Sequence, residues 1–245
     1  YAQAVFEAVE GLTEAGKFSP GDKKIAFVFE DTDYGKSNTE YALPLFKDAG
    51  WTETGHEAVP LGHSDFYPQL SKLRGNAPDV LVSIFTSVNS GIALTKQIKE
   101  TGLETLHVAI YYPLRPEFHE GIGADSENML WTPMLFDPVN NEKHKALYEL
   151  LGAKGITGNG DHAQGYCQFA MLVDNMKRAG TVEPAKLSEA FATTDFDCYT
   201  GRFVYDTANH TPKIGAEFLP VAVAQVQDGV SKAVWPETSA TAEFK

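Results

Sequence analysis

The first half of the chain repeats one pattern, in which a short apolar segment is followed by a helical one. Three segments are almost entirely apolar, at 24–29, 79–85 and 107–111, and a weaker fourth lies at 52–59. A continuous apolar strand must be buried on both faces, as in parallel sheets whose helices cover both sides. The repeat therefore predicts an α/β fold built on a Rossmann-like parallel sheet.

The segments between these strands carry helix signals. Residues 2–15 place apolar side chains at helical spacing. The helix predicted after the first strand carries Ala42, Leu45, Phe46 and Ala49 on one face, and Pro44 is predicted to kink it. Asp65 is predicted to cap the next helix, and Gly102 to end the one after that.

The second half has more helical segments than strands. Helical patterns cover 142–151, 163–179 and a short segment after Pro184, and strand-like patterns cover 202–205, 218–226 and 230–235. The face predicted to be buried in the long helix carries Tyr166, Phe169, Ala170, Val173 and Met176. These helices need a sheet to pack against, and this part of the chain supplies few strands for one.

The composition excludes several classes of protein. The 245 residues are 43% hydrophobic and 11% aromatic, which is typical of a folded chain and not of a disordered one. The net charge is −13, and such an acidic surplus repels the phosphates of nucleic acids. The sequence contains no run of about 18 apolar residues, so it predicts no transmembrane helix.

The two cysteines, Cys167 and Cys198, form no CxxC motif and lie far from any histidine-rich segment, so we expect no zinc site. In an exported protein they could form a disulfide, whereas in the cytosol they would be buried apolar side chains. The first residue is Tyr1, with no basic and apolar leader before it. Either a targeting segment has been removed or the sequence starts within a longer protein.

The loops at the carboxyl ends of the predicted strands are the expected ligand site, because helix N-termini point their free N–H groups there. These loops, at 30–35, 61–65, 86–90 and 111–113, are rich in hydroxyls and aromatic rings and contain no lysine or arginine. Such a rim suits a small solute and lacks the lysine that a triphosphate requires. The hydroxyls are also good helix caps, so both roles stay open for them.

Catalytic and cofactor motifs find little support. Residues His63, Ser64 and Asp65 are adjacent and cannot form the geometry of a catalytic triad, and there is no GxSxG motif. The segment 158–163 imitates a dinucleotide-binding GxGxxA, but it follows a helix and a loop instead of a strand. We therefore expect no enzyme activity, no metal site and no cofactor.

Four motifs, taken together, resemble one family. Residues 24–36 resemble the strand and DxxYG turn of type I periplasmic solute-binding proteins, the branched-chain amino acid receptor family of ABC importers. Residues 62–66, 76–81 and 194–201 resemble three further motifs of that family in the same order, with Cys198 where a glycine is common. Each motif is short, but the four in order span most of the chain.

This resemblance implies two Rossmann-like lobes joined by hinge strands that close on a solute. Residues 1–131 would form the second lobe, residues 132–210 the helical part of the first lobe, and residues 211–245 the return strands across the hinge. The opening βα units of the first lobe have no counterpart in the sequence. Their absence accounts for the helices at 142–192 lacking a sheet.

The resemblance also implies a function, that of the extracytoplasmic, periplasmic substrate-binding component of an ABC importer. Such a component binds a small solute between its lobes and delivers it to the permease subunits, and we expect it to act as a monomer without a nucleic-acid partner. The main alternative is a ligand-sensing domain of a receptor or regulator with the same fold. A lesser alternative is an α/β enzyme.

Residue by residue, Tyr34 matches the tyrosine of the DxxYG turn that contacts ligand in the family. Tyr111 falls where amino acid receptors carry an acidic residue for the ammonium group of the ligand. A buried ammonium without a carboxylate is poorly compensated, so this departure disfavours a zwitterionic amino acid and favours a ligand with an aromatic ring or an amide. The predicted ligand-binding residues are Tyr34, Phe85, Thr86, Ser87, Tyr111 and Tyr112.

Overall fold

The computed structural model describes residues 1–133, 136–139, 141–208, 210–215 and 217–245. The helices are α1 Ala2–Glu14, α2 Asp33–Asp48, α3 Tyr67–Arg74, α4 Val88–Thr101, α5 Pro116–Ile122, α6 Glu142–Gly152, α7 Gly160–Ala179 and α8 Pro184–Ala192. The strands are β1 Lys24–Glu30, β2 Thr52–Val59, β3 Val80–Phe85, β4 Leu106–Tyr111, β5 Leu130–Thr132, β6 Asp195–Cys198, β7 Gly201–Asp206, β8 Thr211–Pro212, β9 Val223–Gln227 and β10 Val230–Trp235.

The chain divides into two compact units. Unit 1 comprises residues 1–133 and 222–245, and unit 2 comprises residues 134–221. Unit 1 is built on a seven-stranded sheet in the order β10-β9-β5-β4-β3-β1-β2, in which β1 to β5 run parallel. The predicted α/β class with a Rossmann-like parallel sheet is confirmed.

The three apolar strands of the sequence form the centre of this sheet. Ile25 of β1 lies beside Val80 of β3, which lies beside Leu106 of β4. All residues of β3 are buried, as are those of β1 after Lys24, because helices cover the two faces of the sheet. Gly102 ends α4 in the left-handed conformation, as its position in the sequence predicts.

The cap predicted at Asp65 is wrong. The residue before α3 is Phe66, whose backbone N–H donates to Gln97 Oε1 at 2.6 Å. Gln97 Nε2 in turn donates to the carbonyl oxygen of Ser64 at 2.8 Å. A glutamine from α4 therefore satisfies this helix end in place of the local carboxylate.

The last strands return to unit 1, since β9 lies antiparallel beside β5 and pairs antiparallel with β10. The sequence predicted this strand to begin at Phe218, but it begins at Val223. The carbonyl oxygen of Phe218 instead accepts a hydrogen bond from the backbone N–H of Arg202 at 2.9 Å, within unit 2. The two compact units divide the chain after residues 133 and 221. The assignment of residues 1–131, 132–210 and 211–245 to lobes and a hinge stays a prediction.

Unit 2 consists of α6, α7 and α8 with a three-stranded sheet in the order β6-β7-β8. A disulfide joins Cys167 of α7 to Cys198 of β6, so the two cysteines are bonded to each other. Cys167 and Met171 pack with Phe203 of β7 in a small apolar cluster.

The buried face predicted for α7 is wrong. The buried residues are Gly160, Ala163, Cys167, Met171 and Asn175. Tyr166 and Phe169, which the sequence placed inside, are 47% and 69% exposed. The helix carries apolar side chains around much of its circumference, and the small sheet of unit 2 covers only the side that bears the disulfide.

Candidate functional site

The carboxyl ends of β1, β3 and β4 lie side by side in unit 1. Phe29 of β1 pairs with Ile84 of β3, and Phe85 pairs with Tyr111 of β4. The chain passes from β1 outward to β2 and then returns to the other side of β1 to form β3, so the connections diverge between β1 and β3. In open parallel sheets, ligands bind at such a switch point, outside the carboxyl ends of the strands.

Two helices begin at this switch point. Thr32 caps α2, with its Oγ1 accepting a hydrogen bond from the backbone N–H of Gly35 at 3.2 Å. Ser87 caps α4 in the same way, with its Oγ accepting from the backbone N–H of Ser90 at 3.3 Å. The positive ends of both helix dipoles therefore lie at the switch point and favour acceptor or anionic groups.

Glu30, the last residue of β1, connects the two sides of the switch point. Its side chain is fully buried, and its carboxylate accepts hydrogen bonds from the backbone N–H of Thr86 (2.8 Å), the hydroxyl of Thr86 (2.6 Å) and the backbone N–H of Ser87 (2.8 Å). Charge-assisted hydrogen bonds of this kind are the strong ones in proteins. Glu30 therefore fixes the start of α4 relative to β1.

The prediction from sequence did not single out Glu30, because the residue opens an acidic loop that is solvated by default. Its burial could have been predicted from its position, because Glu30 is the last residue of an apolar strand whose other residues after Lys24 are all buried. Thr86 and Ser87, which the sequence predicted as ligand contacts, are bound to Glu30 and engaged as a helix cap, respectively. Their role as ligand contacts stays a prediction.

Gly35 lets α2 begin close to the end of β1. A Cβ atom on Gly35 would lie 2.1 Å from the carbonyl oxygen of Glu30, far inside the contact distance of the two atoms. The glycine of the DxxYG turn is therefore required by this close approach. It places Tyr34, one residue earlier, at the edge of the sheet.

The rings of Tyr34 and Tyr111 lie next to each other at the switch point. Their ring centroids are 6.2 Å apart, with an angle of 67° between the rings, in an edge-to-face arrangement. Tyr111 has φ 76° and ψ −57°, a backbone conformation that few residues other than glycine adopt. Strained residues of this kind concentrate at functional sites.

The phenolic oxygen of Tyr34 is buried and has no hydrogen-bond partner within the described ranges. Burial, with smaller contributions from Tyr1, Tyr111 and Glu30, raises the pKa of the Tyr34 phenol above its ordinary value. The phenol therefore stays protonated and offers a hydrogen-bond donor.

Phe85 and Tyr112, which the sequence predicted as ligand contacts, lie in the hydrophobic core. Both side chains are 0% exposed, and the Tyr112 ring packs between Phe85 and Phe118. The Tyr112 hydroxyl is hydrogen-bonded to Ser83 Oγ (2.7 Å) and to His107 Nε2 (3.2 Å). Neither side chain presents a surface to a solute, so this part of the prediction does not hold in the structure.

The remaining carboxylates at the switch point are exposed. Asp31 forms an ion pair with Lys36, with 2.5 Å between Oδ1 and Nζ, and Asp33 is the first residue of α2. Within the described ranges, no group of three or more histidine, cysteine, aspartate or glutamate side chains is arranged to bind a metal ion. None of the described helices is both long and apolar enough to cross a membrane.

A separate cavity of ≈ 340 Å³ lies at the opposite edge of the sheet, between the end of α4 and the start of β4. Its lining includes Lys99, Glu104 and the buried ring of His107. Burial lowers the pKa of His107 to about 3, so this imidazole is neutral at neutral pH.

Comparison with known proteins places the chain among bacterial binding proteins. The leucine-, isoleucine-, valine-, threonine- and alanine-binding protein of Pseudomonas aeruginosa is 27% identical over 197 residues, which cover 78% of this chain and 52% of that protein. A homologue of Leu/Ile/Val-binding proteins from Brucella melitensis is 23% identical over 162 residues, which cover 66% of this chain and 44% of that protein. The chain spans about half the length of these curated relatives.

Solved structures share the fold. A leucine-binding protein from Thermotoga maritima has a TM-score of 0.76 and 22% identity, covering 95% of this chain and 63% of that one. A solute-binding protein of an ABC transporter from R. palustris, in complex with benzoate, has a TM-score of 0.74 and 16% identity, covering 95% and 62%. These likenesses confirm the resemblance to type I periplasmic solute-binding proteins. The profile of the family described as periplasmic binding protein matches residues 2–230, and the chain therefore belongs to that family.

Proposed function

We propose that the protein is the solute-binding component of an ABC importer and acts outside the cytoplasm. It binds a small solute at the carboxyl edge of the unit 1 sheet and releases it, chemically unchanged, to permease subunits in the membrane. The solute is an amino acid-like compound, an amide or an aromatic acid. The protein acts as a monomer.

The observation that carries this proposal is the set of side chains at the switch point. Two half-buried tyrosine rings, Tyr34 and Tyr111, lie at the edge where α2 and α4 begin, and Glu30 fixes the start of α4 relative to β1. The hydroxyl of Thr86 donates to Glu30 and that of Ser87 caps α4, so both have a structural role at the edge of the sheet. Rings and donors of this kind bind and orient a solute.

The disulfide supports a site of action outside the cytoplasm. Disulfides form and persist in oxidising compartments and are rare in the cytosol, where thiols are kept reduced. The bond between Cys167 and Cys198 joins two elements of unit 2 next to its apolar cluster, which is typical of a structural disulfide.

The relatives support the range of solutes. The relative from P. aeruginosa is described as binding five amino acids, and structures from R. palustris contain benzoate and 3,4-dihydroxybenzoic acid. The three classes proposed for this chain cover these compounds.

Thermal-shift screening of the full-length protein against the three classes tests the proposal, with titration calorimetry for each compound that raises the melting temperature. A solute at about 100 times its Kd adds about 2.7 kcal/mol to the free energy of unfolding, or roughly 5–10 °C for a chain of this size. Mass spectrometry should recover the solute unchanged.

The matched variants are Tyr34→Phe and Tyr41→Phe. Both remove one hydroxyl from α2, but Tyr41 is exposed and its hydroxyl donates to Gln3. We expect only Tyr34→Phe to weaken binding. Failure of every class to bind would refute the proposal, and a bound solute whose uptake by cells does not depend on the protein would favour the sensing alternative.

A further inference from the structure

We propose that the solute is an aromatic carboxylate without an ammonium group. This inference rests on the proposed function and selects one of its three solute classes. It follows from what the switch point offers a ligand in charge, hydrogen bonding and shape.

Glu30 is the one buried carboxylate among the described residues at the switch point, and it is not available to a ligand. Three donors from Thr86 and Ser87 already occupy its two oxygens, and its side chain is 0% exposed. An ammonium group in the site could not reach it without displacing these donors. Asp31 is paired with Lys36, and Asp33 is exposed to water at the start of α2.

Tyr34 offers a hydrogen-bond donor to the ligand. Its hydroxyl is buried and lacks a partner in the parts of the chain that the structure describes, which is rare for a buried polar group. The proton of this hydroxyl needs an acceptor. A carboxylate has two acceptor oxygens and an ammonium group has none, so this contact favours a carboxylate, while the occupied Glu30 is what disfavours an ammonium group on the same ligand. The nearby N-termini of α2 and α4 favour the same negative charge.

The rings of Tyr34 and Tyr111 give the site its shape. They are half-buried and stand at 67° to each other, so they form two walls of different orientation. A planar ring can stack on one wall and meet the other edge to face, which are the two arrangements that aromatic rings prefer. Tyrosine faces also attract cations, so ligands with an ammonium group are a necessary arm of the test.

The test uses ligand pairs that differ in one group, titrated by calorimetry into full-length protein freed of bound compounds by unfolding and refolding. The first pair is 3-phenylpropanoate and L-phenylalanine, which differ only by the α-ammonium group. The second pair is benzoate and cyclohexanecarboxylate, which differ only in the aromatic ring. We expect the first member of each pair to bind at least about tenfold more tightly than the second. A tenfold difference in Kd corresponds to about 1.4 kcal/mol of binding free energy.

Variants then identify the residues responsible. Tyr34→Phe should weaken binding of the aromatic carboxylate about tenfold or more, which is typical of a lost hydrogen bond to a charged group, while Tyr41→Phe should have no effect. Asp33→Asn should not weaken binding of the carboxylate, because it removes a negative charge from the first turn of α2. The ligand pairs are measured on the unaltered protein, so the comparison does not depend on how well any variant folds.

The results distinguish a failure of the aromatic-carboxylate assignment from a failure of the proposed solute-binding function. Tighter binding of L-phenylalanine, or loss of binding in Asp33→Asn, would overturn the aromatic-carboxylate assignment and leave the binding function in place. Equal binding of benzoate and cyclohexanecarboxylate would overturn the role of the rings. If no member of either pair binds, and no amino acid or amide does, the proposed function itself fails.

Discussion

Replacing Glu30 by glutamine should destabilise unit 1 and weaken solute binding together. The carboxylate accepts three hydrogen bonds, and the amide of the Glu30→Gln variant would replace one of its oxygens with an NH₂ group that faces a donor. Hydrogen bonds to charged groups contribute about 1.5–3 kcal/mol each, so the loss of one or two predicts a decrease of about 1.5–6 kcal/mol in the free energy of unfolding. The start of α4 should lose its fixed position at the same time.

Tryptophan fluorescence during urea unfolding measures this effect in unit 1. The chain has three tryptophans, Trp51, Trp131 and Trp235, and all of them lie in unit 1. The change in midpoint multiplied by the slope of the transition gives the change in the free energy of unfolding. Calorimetry on the same samples gives the affinity for the solute.

The matched control is Asp31→Asn, one residue further along. Asp31 is exposed and forms a surface ion pair with Lys36, and pairs of this kind contribute little, so the unfolding midpoint should hardly move. A decrease below about 1 kcal/mol for Glu30→Gln would show that the three hydrogen bonds do not stabilise the switch point as argued. If the free energy of unfolding decreases as predicted while the affinity for the solute is unchanged, Glu30 stabilises the fold and does not contribute to binding.

Gly35, the disulfide and His107 each give a further prediction. Gly35→Ala should destabilise unit 1 and abolish binding, because its Cβ would lie 2.1 Å from the Glu30 carbonyl oxygen. Gly165 in α7 has open space around it, so Gly165→Ala should stabilise the protein slightly. Urea unfolding measures both variants. Replacing Cys167 and Cys198 by alanine should cost unit 2 about 3–4 kcal/mol for a closed loop of 31 residues, measured by urea unfolding followed by circular dichroism; an unchanged unfolding curve would contradict this. Burial lowers the pKa of His107 to about 3, so the unfolded chain binds a proton at this residue below about pH 6.5 and the folded chain does not. Unit 1 should therefore lose stability as the pH falls from about 6.5 towards 3, with less loss in His107→Gln; identical pH profiles for the two proteins would refute this.

The central sheet could be predicted well because burial on both faces leaves a clear pattern in the sequence. The strands β1, β3 and β4 are nearly continuous apolar runs, and a single glycine ends α4. The buried face of α7 could not be predicted in the same way, since apolar side chains surround the helix and only the size of the neighbouring sheet decides which of them are covered. The start of β9 was misplaced for a related reason, because Phe218 and Val223 are both apolar but pair within different units.

The candidate site was predicted in part. The sequence placed Tyr34 and Tyr111 at one edge of the sheet, and the structure brings their rings together. It could not predict that Phe85 and Tyr112 turn inward, because an aromatic residue at a strand end can face either the core or the edge. Glu30 was missed because its three donors come from residues 86 and 87, and no local pattern in the sequence links them to it.

Unit 1 is made of two separate segments of the chain, residues 1–133 and 222–245, and this affects the order in which the chain folds. Strand β5, near residue 130, receives its second neighbour only when β9 becomes available almost a hundred residues later. Until then, the partly built sheet presents an unpaired edge, which is a template for pairing with other chains. Pairing over such a sequence separation is also slow, since the intervening chain must be closed into a loop first. A newly made chain should therefore be most prone to aggregation between the emergence of residue 133 and that of residue 227, and protection of this edge should improve its recovery.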